Sequence, residues 1–375
     1  MIEFTKPFIH NSAYKYILQS LESGKISGDE HFTKLAHQFL NSFFGCTKSL
    51  LTTSGTHSLE MAALASDVTA DDEIICPSFT FSSSANAFAL RGSKLVFVDI
   101  ESDTMNICPQ AIEAAITKKT KVICIVHYAG VPCKMKEILE LTKKHNLILI
   151  EDMAQSFGST YKDQLTGTFG QFGCISFHAT KNISCGEGGA LLINDSKYSL
   201  KSEIIREKGT NRSQFLRGSI DKYTWQDLGS SYLPSDINAA LLLSQLENYN
   251  EIQNLRLLRW NQYYLNLKDL ELRGLLKLPN IPSDVKHNGH IFFLKLADLK
   301  QREELRVYLK SHNIVATFHY IPLHSSPAGL KYGRFAGKDV NTTIESERLL
   351  RLPLYSGMTK ENCDLVCEKI RTFFV

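Results

Sequence analysis

Lys181 lies in Ser176-Phe177-His178-Ala179-Thr180-Lys181-Asn182, after an apolar strand-like stretch and just before the turn Gly186-Glu187-Gly188-Gly189. Most lysines are solvated surface charges. The other use of a lysine is as a nucleophilic amine, which attacks a carbonyl from its neutral form when a desolvating or cationic pocket makes that form accessible. Spacing alone leaves both readings open. A second group is Glu151-Asp152-Met153-Ala154-Gln155, which closes the apolar run Leu147 to Ile150. In open α/β sheets ligands bind beyond the carboxyl ends of strands, so an acid there can face a bound group; the alternative is a solvated loop carboxylate. A third is Ser54-Gly55-Thr56, where a strand gives way to a helix. The unpaired N–H groups and positive end of a helix suit a phosphate, and small hydroxyl residues serve equally as a simple N-cap.

Other chemistries lose support. There is no GxGxxG dinucleotide loop and no GxxxxGK[ST] loop, and Gly167, Gly170 and Gly173 have the spacing of neither. His319 and His324 are close in sequence, but nothing nearby supplies a third ligand at a recognisable spacing, so no metal is expected.

The elements that must bring these segments together alternate between strand-like and helical patterns from about residue 45 to 200, the pattern of an α/β sheet with crossover helices. Strands are expected at Leu50–Thr53, Glu73–Cys76, Leu95–Asp99, Val122–Val126 and Leu147–Glu151, and helices at Ser58–Ser66, Ser83–Leu90, Ile112–Ile116 and Met135–His145. Gly209 to Ser231 lacks periodicity and is expected to be a long loop. A helical run follows from Pro234 to about Leu270, and a smaller α/β unit after it, with a strand at Ile291–Leu296 and helices at Glu303–His312 and from Glu361.

At 375 residues the chain can bury more than one core, and 43% hydrophobic with 22% charged residues is ordinary globular composition. A net charge of +3 from 42 basic and 39 acidic residues gives no concentrated basic face, which argues against nucleic acid as a partner. Apolar runs fall short of the roughly 20 residues of a membrane helix. With no signal-like N-terminus, the cytoplasm is the expected location. The nine cysteines show no CxxC pair and are expected as reduced thiols.

Read in order, Gly24 to Gly28, Ser54-Gly55-Thr56, Pro77-Ser78-Phe79-Thr80-Phe81, His127-Tyr128-Ala129-Gly130, Glu151-Asp152 with Gln155, Ser176 to Lys181, Glu187-Gly188-Gly189 and Tyr320-Ile321-Pro322-Leu323-His324 resemble the DegT/DnrJ/EryC/StrS sugar aminotransferases. The resemblance spans nearly the whole chain. It implies an aspartate-aminotransferase-like, fold type I architecture: a large, mainly parallel, seven-stranded sheet domain over residues 1–245 and a smaller C-terminal α/β domain over 246–375. It also implies pyridoxal 5'-phosphate as cofactor, bonded to Lys181 as a Schiff base. Asp152 would pair with the pyridine nitrogen, Gln155 with the phenolic oxygen, Phe81 would stack on the ring, and Ser54, Gly55, Thr56 and Ser176 would hold the phosphate. Tyr320, His324 and Arg212 would contact the sugar or its diphosphate.

Partners implied in the same way are a nucleotide-linked keto sugar, glutamate as amino donor, and a second copy of the chain sharing the active sites. Segments Arg206 to Phe215, Asp221 to Trp225, Phe318 to His324 and Glu345 to Leu354 are similar to the members that aminate dTDP-4-keto-6-deoxyglucose. One departure stands out. Many members carry Asn-Tyr-Arg before the long helix, the asparagine reaching the partner's cofactor phosphate, whereas here the residues are Ser231-Tyr232-Leu233. Ser231 would stand in with a shorter reach, and the arginine is absent. Three other readings remain at this point: a 3-keto or UDP-linked substrate, a dehydratase of the same scaffold, against which lysine rather than histidine at 181 speaks, and a non-catalytic protein of the same fold.

Overall fold

The computed structural model describes Met1–Val375. Eight strands make its central sheet: β1 (Lys48–Thr52), β2 (Glu73–Pro77), β3 (Lys94–Val98), β4 (Thr120–Val126), β5 (Ile148–Asp152), β6 (Phe172–Ser176), β7 (Gly189–Ile193) and β8 (Gly333–Phe335), in the spatial order β1-β7-β6-β5-β4-β2-β3-β8. Pairing is parallel except where β7 meets β1 and β6.

The central strands read as unbroken apolar runs because both faces are covered. Alternation sorts the side chains. Ile74, Val122, Cys124 and Ile150 pack on one face with Phe88 and Leu59, while Ile75, Ile123, Ile125 and Leu149 pack on the other with Met135 and Ile138. All nine cysteines are free.

β1 to β5 match the five runs expected as strands, β6 and β7 bring the sheet to the seven strands that the resemblance implied, and the eighth corrects that count. β8 adds in parallel to β3, with Gly333 opposite Leu95 and Phe335 opposite Phe97. It carries no apolar run, so no strand pattern marks it. Glycine is needed at its start, where a Cβ on Gly333 would lie 2.8 Å from the Leu95 carbonyl oxygen. The helical run expected from Pro234 to Leu270 is two helices, Asp236–Glu247 and Tyr249–Leu272, broken at Asn248, whose ψ of 21° is not helical. Residues 209–231 are mostly loop, holding one short helix, Arg212–Leu216.

A separate cluster, including Trp260, Tyr263, Phe292, Leu305, Leu350 and Ile370, forms the core of the C-terminal region. There Phe293–Lys295 pairs antiparallel with Leu349–Arg351, the expected strand being shorter than its apolar run. The chain's first residues join this region: Ile2 bridges Ile314, and the Phe4 carbonyl accepts from the Leu354 N–H at 3.2 Å. Arg351 is thereby held on a paired strand, with Phe4 beside it.

Candidate active site

Strand ends gather the chemistry. Asp152 is the last residue of β5 and Ser176 the last of β6, and the helix Gly55–Ala65 starts three residues after β1 ends. A cavity of about 660 Å³ opens over these ends, lined among others by Ser54, Gly55, Thr56, Phe81, Asp152, Gln155, Ser176, Lys181 and Tyr320. Ser54 caps the helix, its Oγ accepting from His57 N–H at 3.1 Å. Gly55 touches Ser176 so closely that a Cβ at 55 would lie 2.7 Å from the Ser176 Cβ. Backbone N–H groups, Ser54, Ser176 and the Thr56 hydroxyl, which shares a 2.7 Å hydrogen bond with Ser83, thus form one anion cradle at the positive end of a helix.

The cradle yields a first prediction. Gly55→Ala forces helix and β6 apart, lowering stability by about 1–3 kcal/mol. It should also weaken binding of a phosphate-bearing ligand in the cradle by at least roughly tenfold, about 1.4 kcal/mol, when a fluorescence titration follows the ligand.

Glu151 and Asp152 point to opposite sides of β5, as neighbours on a strand must, and have different roles. Glu151 is saturated: it accepts from His127 Nε2 at 3.0 Å, Gly167 N–H at 2.7 Å, Phe169 N–H at 2.7 Å and Gly170 N–H at 2.8 Å. It holds the loop before β6 in place. Asp152 faces the cavity, buried, with one oxygen accepting from Ser84 Oγ at 2.6 Å and the other from Ala154 N–H at 3.0 Å. Ser84 is itself 2.8 Å from Thr80 Oγ1, so a hydroxyl pair orients the carboxylate. Burial pushes the Asp152 carboxyl above its ordinary range, while these hydrogen bonds and the Lys181 and His127 charges oppose the shift.

Across the cavity, Lys181 behaves in the complementary way. Burial holds its amine below the usual lysine range, Asp152 opposes this, and the Arg351 cation reinforces it. The neutral amine needed for attack on a carbonyl is therefore more accessible than on a surface lysine. Gln155 is fixed at both ends, its Oε1 accepting from Ala129 N–H at 2.7 Å and its Nε2 donating to Tyr320 Oη at 3.1 Å. One Nε2 hydrogen remains for a bound group. Phe81 is 59% exposed and forms a wall at the mouth, 6.3 Å from the Tyr320 ring.

Three residues expected at the site lie off the cavity wall. His324 is turned away from it, Nδ1 to Ser78 Oγ at 2.7 Å and Nε2 to Asp339 at 3.3 Å, where it ties the segment after Pro322 to the end of β2. The geometry thus gives it a tethering place rather than a sugar contact. Arg212 is at the start of a surface helix with Glu207 at 3.5 Å, and its neighbour Arg217 is engaged by both Glu203 oxygens. Both arginines are thus engaged by acids that lie earlier in the chain. Ser231 is exposed and bridges Glu207 through its backbone, away from this chain's own cavity.

The structure also adds residues that the sequence did not single out. Arg256, Arg351 and His290 line the cavity, as does His319, which the sequence had offered only as a metal ligand. His290 is bonded to Asn182 at 2.8 Å and His319 lies 3.2 Å from Tyr128 Oη. Thr80, which precedes the helix Ser83–Ala89, and Ser84 within it form the hydroxyl pair behind Asp152.

A phosphorylated pyridine aldehyde fits this donor set: an anion cradle, a buried carboxylate for a protonated ring nitrogen, an amide for a phenolic oxygen and a depressed lysine for the aldehyde. Comparison with known proteins agrees. The model of the DegT/DnrJ/EryC1/StrS aminotransferase family matches residues 7–371. Spore coat polysaccharide biosynthesis protein SpsC of Bacillus subtilis is 31% identical over 378 residues, covering 99% of this chain and 96% of its own. Spr1654 of Streptococcus pneumoniae, assigned as a sugar aminotransferase, superposes in its PMP form with a TM-score of 0.91 at 25% identity, covering 100% of this chain and 99% of that one. Its PLP form gives a TM-score of 0.90 at 25% identity, covering 99% of this chain and 98% of that one. PseC of Helicobacter pylori, an aminotransferase involved in the biosynthesis of pseudoaminic acid, shares the fold with a TM-score of 0.91 at 24% identity, covering 100% of this chain and 99% of its own.

Proposed function

The chain belongs to the DegT/DnrJ/EryC1/StrS aminotransferase family and uses pyridoxal 5'-phosphate, and within that family we propose that it transfers an amino group from L-glutamate to C4 of dTDP-4-keto-6-deoxy-D-glucose. The product is dTDP-4-amino-4,6-dideoxy-D-galactose, destined for a cell-surface polysaccharide such as enterobacterial common antigen or an O-antigen. One observation carries the chemistry: the Lys181 amine, its proton affinity depressed by burial, faces the same cavity as the oriented carboxylate of Asp152. The sugar assignment is supported by the likeness of residues 206–215, 221–225, 318–324 and 345–354 to members that take this substrate.

When bound, pyridoxal phosphate supplies an electron sink for the carbon that loses its proton. Asp152, its carboxylate oriented by the Ser84–Thr80 pair, would hold a proton on the ring nitrogen. Ser54, Gly55, Thr56 and Ser176 would hold the phosphate, Gln155 would donate its spare N–H to the phenolic oxygen, and Phe81 would cover the ring. In the first half of the reaction Lys181, the residue that would hold the cofactor's aldehyde, would move a proton at the donor's α-carbon. In the second half it returns a proton at C4 of the sugar. The enzyme acts in the cytoplasm as a homodimer, in which Ser231 of one chain approaches the cofactor phosphate of its partner. Tyr320, which lines the cavity, contacts the sugar.

The test is incubation with pyridoxal phosphate, glutamate and dTDP-4-keto-6-deoxyglucose, with the product identified by mass and NMR. The 4-amino-galactose product is expected. A glucose-configured amine, or turnover only of 3-keto or UDP-linked sugars, would overturn the substrate assignment and leave the family intact.

A further inference from the structure

Two buried amides, Asn182 and Asn288, join the residue next to Lys181 to His290 in the cavity wall. Their hydrogen bonds can run in only one direction. Asn182 Nδ2 donates to the Asn288 carbonyl at 2.9 Å, which turns its Oδ1 toward His290 Nδ1 at 2.8 Å. An amide oxygen only accepts, so the imidazole hydrogen is on Nδ1 and Nε2 is a bare acceptor. Asn288 pins the same residue from the other side: its Oδ1 accepts the His290 N–H at 3.1 Å, and its Nδ2 donates to the Gln155 and Phe157 carbonyls at 2.9 and 3.1 Å. Burial, together with the Lys181, Arg256 and Arg351 cations, keeps the ring unprotonated.

A fixed, neutral acceptor among three cations calls for a donor. Arg256 is spent on the carbonyls of Gly289, His290 and Leu354, and Arg351 donates to the Phe318 carbonyl at 3.1 Å. Lys181 is the free one: burial and the Asp152 and Arg351 charges act on its amine, and no hydrogen bond does. The two oxygens of Asp152 already accept from Ser84 and Ala154. Of the three cations, Lys181 also opposes protonation of His290 most strongly, which places its amine close to the ring. Its charge rides on a flexible four-carbon stem and can swing to a partner that stays still.

We propose that His290 is a positioning residue for Lys181: its bare Nε2 receives the lysine ammonium whenever that side chain is free and carries a proton, and Asn182 keeps the ring in the tautomer that can do so. As a part of the reaction this rests on the amino-transfer reading above.

The test is competitive labelling of the full-length, cofactor-free protein with acetic anhydride across pH, the extent at Lys181 being read from its peptide by mass spectrometry. His290→Leu removes the acceptor and disfavours the ammonium form, so below its titration Lys181 should react roughly tenfold faster than in the parent, its pKa lower by about one. His290→Gln offers an N–H to Asn182 and an oxygen to Lys181, and should restore the parent's pH profile. Equal profiles in all three proteins, or the same change in both variants, would overturn the proposal. Should His290→Leu fail to fold, nitrogen NMR of histidine-labelled parent protein decides: the signal of His290 Nε2, identified by its loss in His290→Gln, should move in Lys181→Met, and a signal unmoved by that change would overturn the contact. A parent that carries out no amino transfer would count against the proposed function, while the labelling would still decide whether His290 holds Lys181.

Discussion

Lys181→Ala is expected to lose at least about 10⁴-fold in kcat, since in the proposed function it would remove both the amine that takes up the cofactor and the base that moves the proton. The fold should survive. Lys181 is placed by the Lys181 N–H to His178 carbonyl bond at 2.8 Å, a backbone contact that alanine keeps. Removing a buried amine also relieves a desolvation cost, so the cofactor-free variant should melt no lower than the parent. A steady-state assay with glutamate and the keto sugar, alongside a thermal melt, separates the two effects. A variant retaining more than a few per cent of the parent's rate would mean that another group performs the transfer.

Asp152→Asn is expected to cost about 10²- to 10³-fold in kcat, the range for one preorganised electrostatic group, because the amide cannot hold the ring nitrogen protonated. Its effect on stability should have the opposite sign. Burial raises the folded-state pKa of Asp152 above its unfolded value, so the folded chain binds that proton more tightly than the unfolded chain does. Stability of the cofactor-free protein therefore falls as pH rises from the ordinary carboxylate range through the raised value. Asparagine does not ionise and escapes that loss. Cofactor-free Asp152→Asn should be more stable than the parent at neutral pH and lose this advantage below about pH 4, where the parent carboxyl is protonated in both states. Denaturant melts across pH measure it, and a neutral-pH destabilisation would show that the ionised carboxylate is held favourably by Ser84, Ala154 and Lys181.

The two carboxylates of Glu151-Asp152 mark how much of this site was legible in the sequence. Their place at the end of an apolar run identified the strand and its ligand-facing end. Strand alternation requires that only one of them face the cavity, but which one depends on the loop carrying Gly167, Phe169 and Gly170, whose N–H groups claim Glu151. Local pattern likewise revealed β1 to β5, since unbroken apolar runs need burial on both faces. It missed β8, which exists because the C-terminal segment returns to the edge of β3 and not because Gly333-Arg334-Phe335 favours a strand. Arg351 was invisible as a site residue for a similar reason. Its role in the wall comes from a strand pairing and from Phe4, contacts between distant parts of the chain. His324 shows the reverse error: its neighbour Tyr320 faces the cavity, yet the short helix Leu323–Ser325 turns the histidine toward Ser78.

In the proposed function Lys181 is the residue that bonds the cofactor. Loading the purified protein with pyridoxal phosphate, fixing the cofactor with sodium borohydride and mapping the peptides by mass spectrometry tests it directly. A single phosphopyridoxyl group on the peptide containing Lys181 is expected; a label on any other lysine, or none on a protein that is catalytically active, would mean that Lys181 does not hold the cofactor.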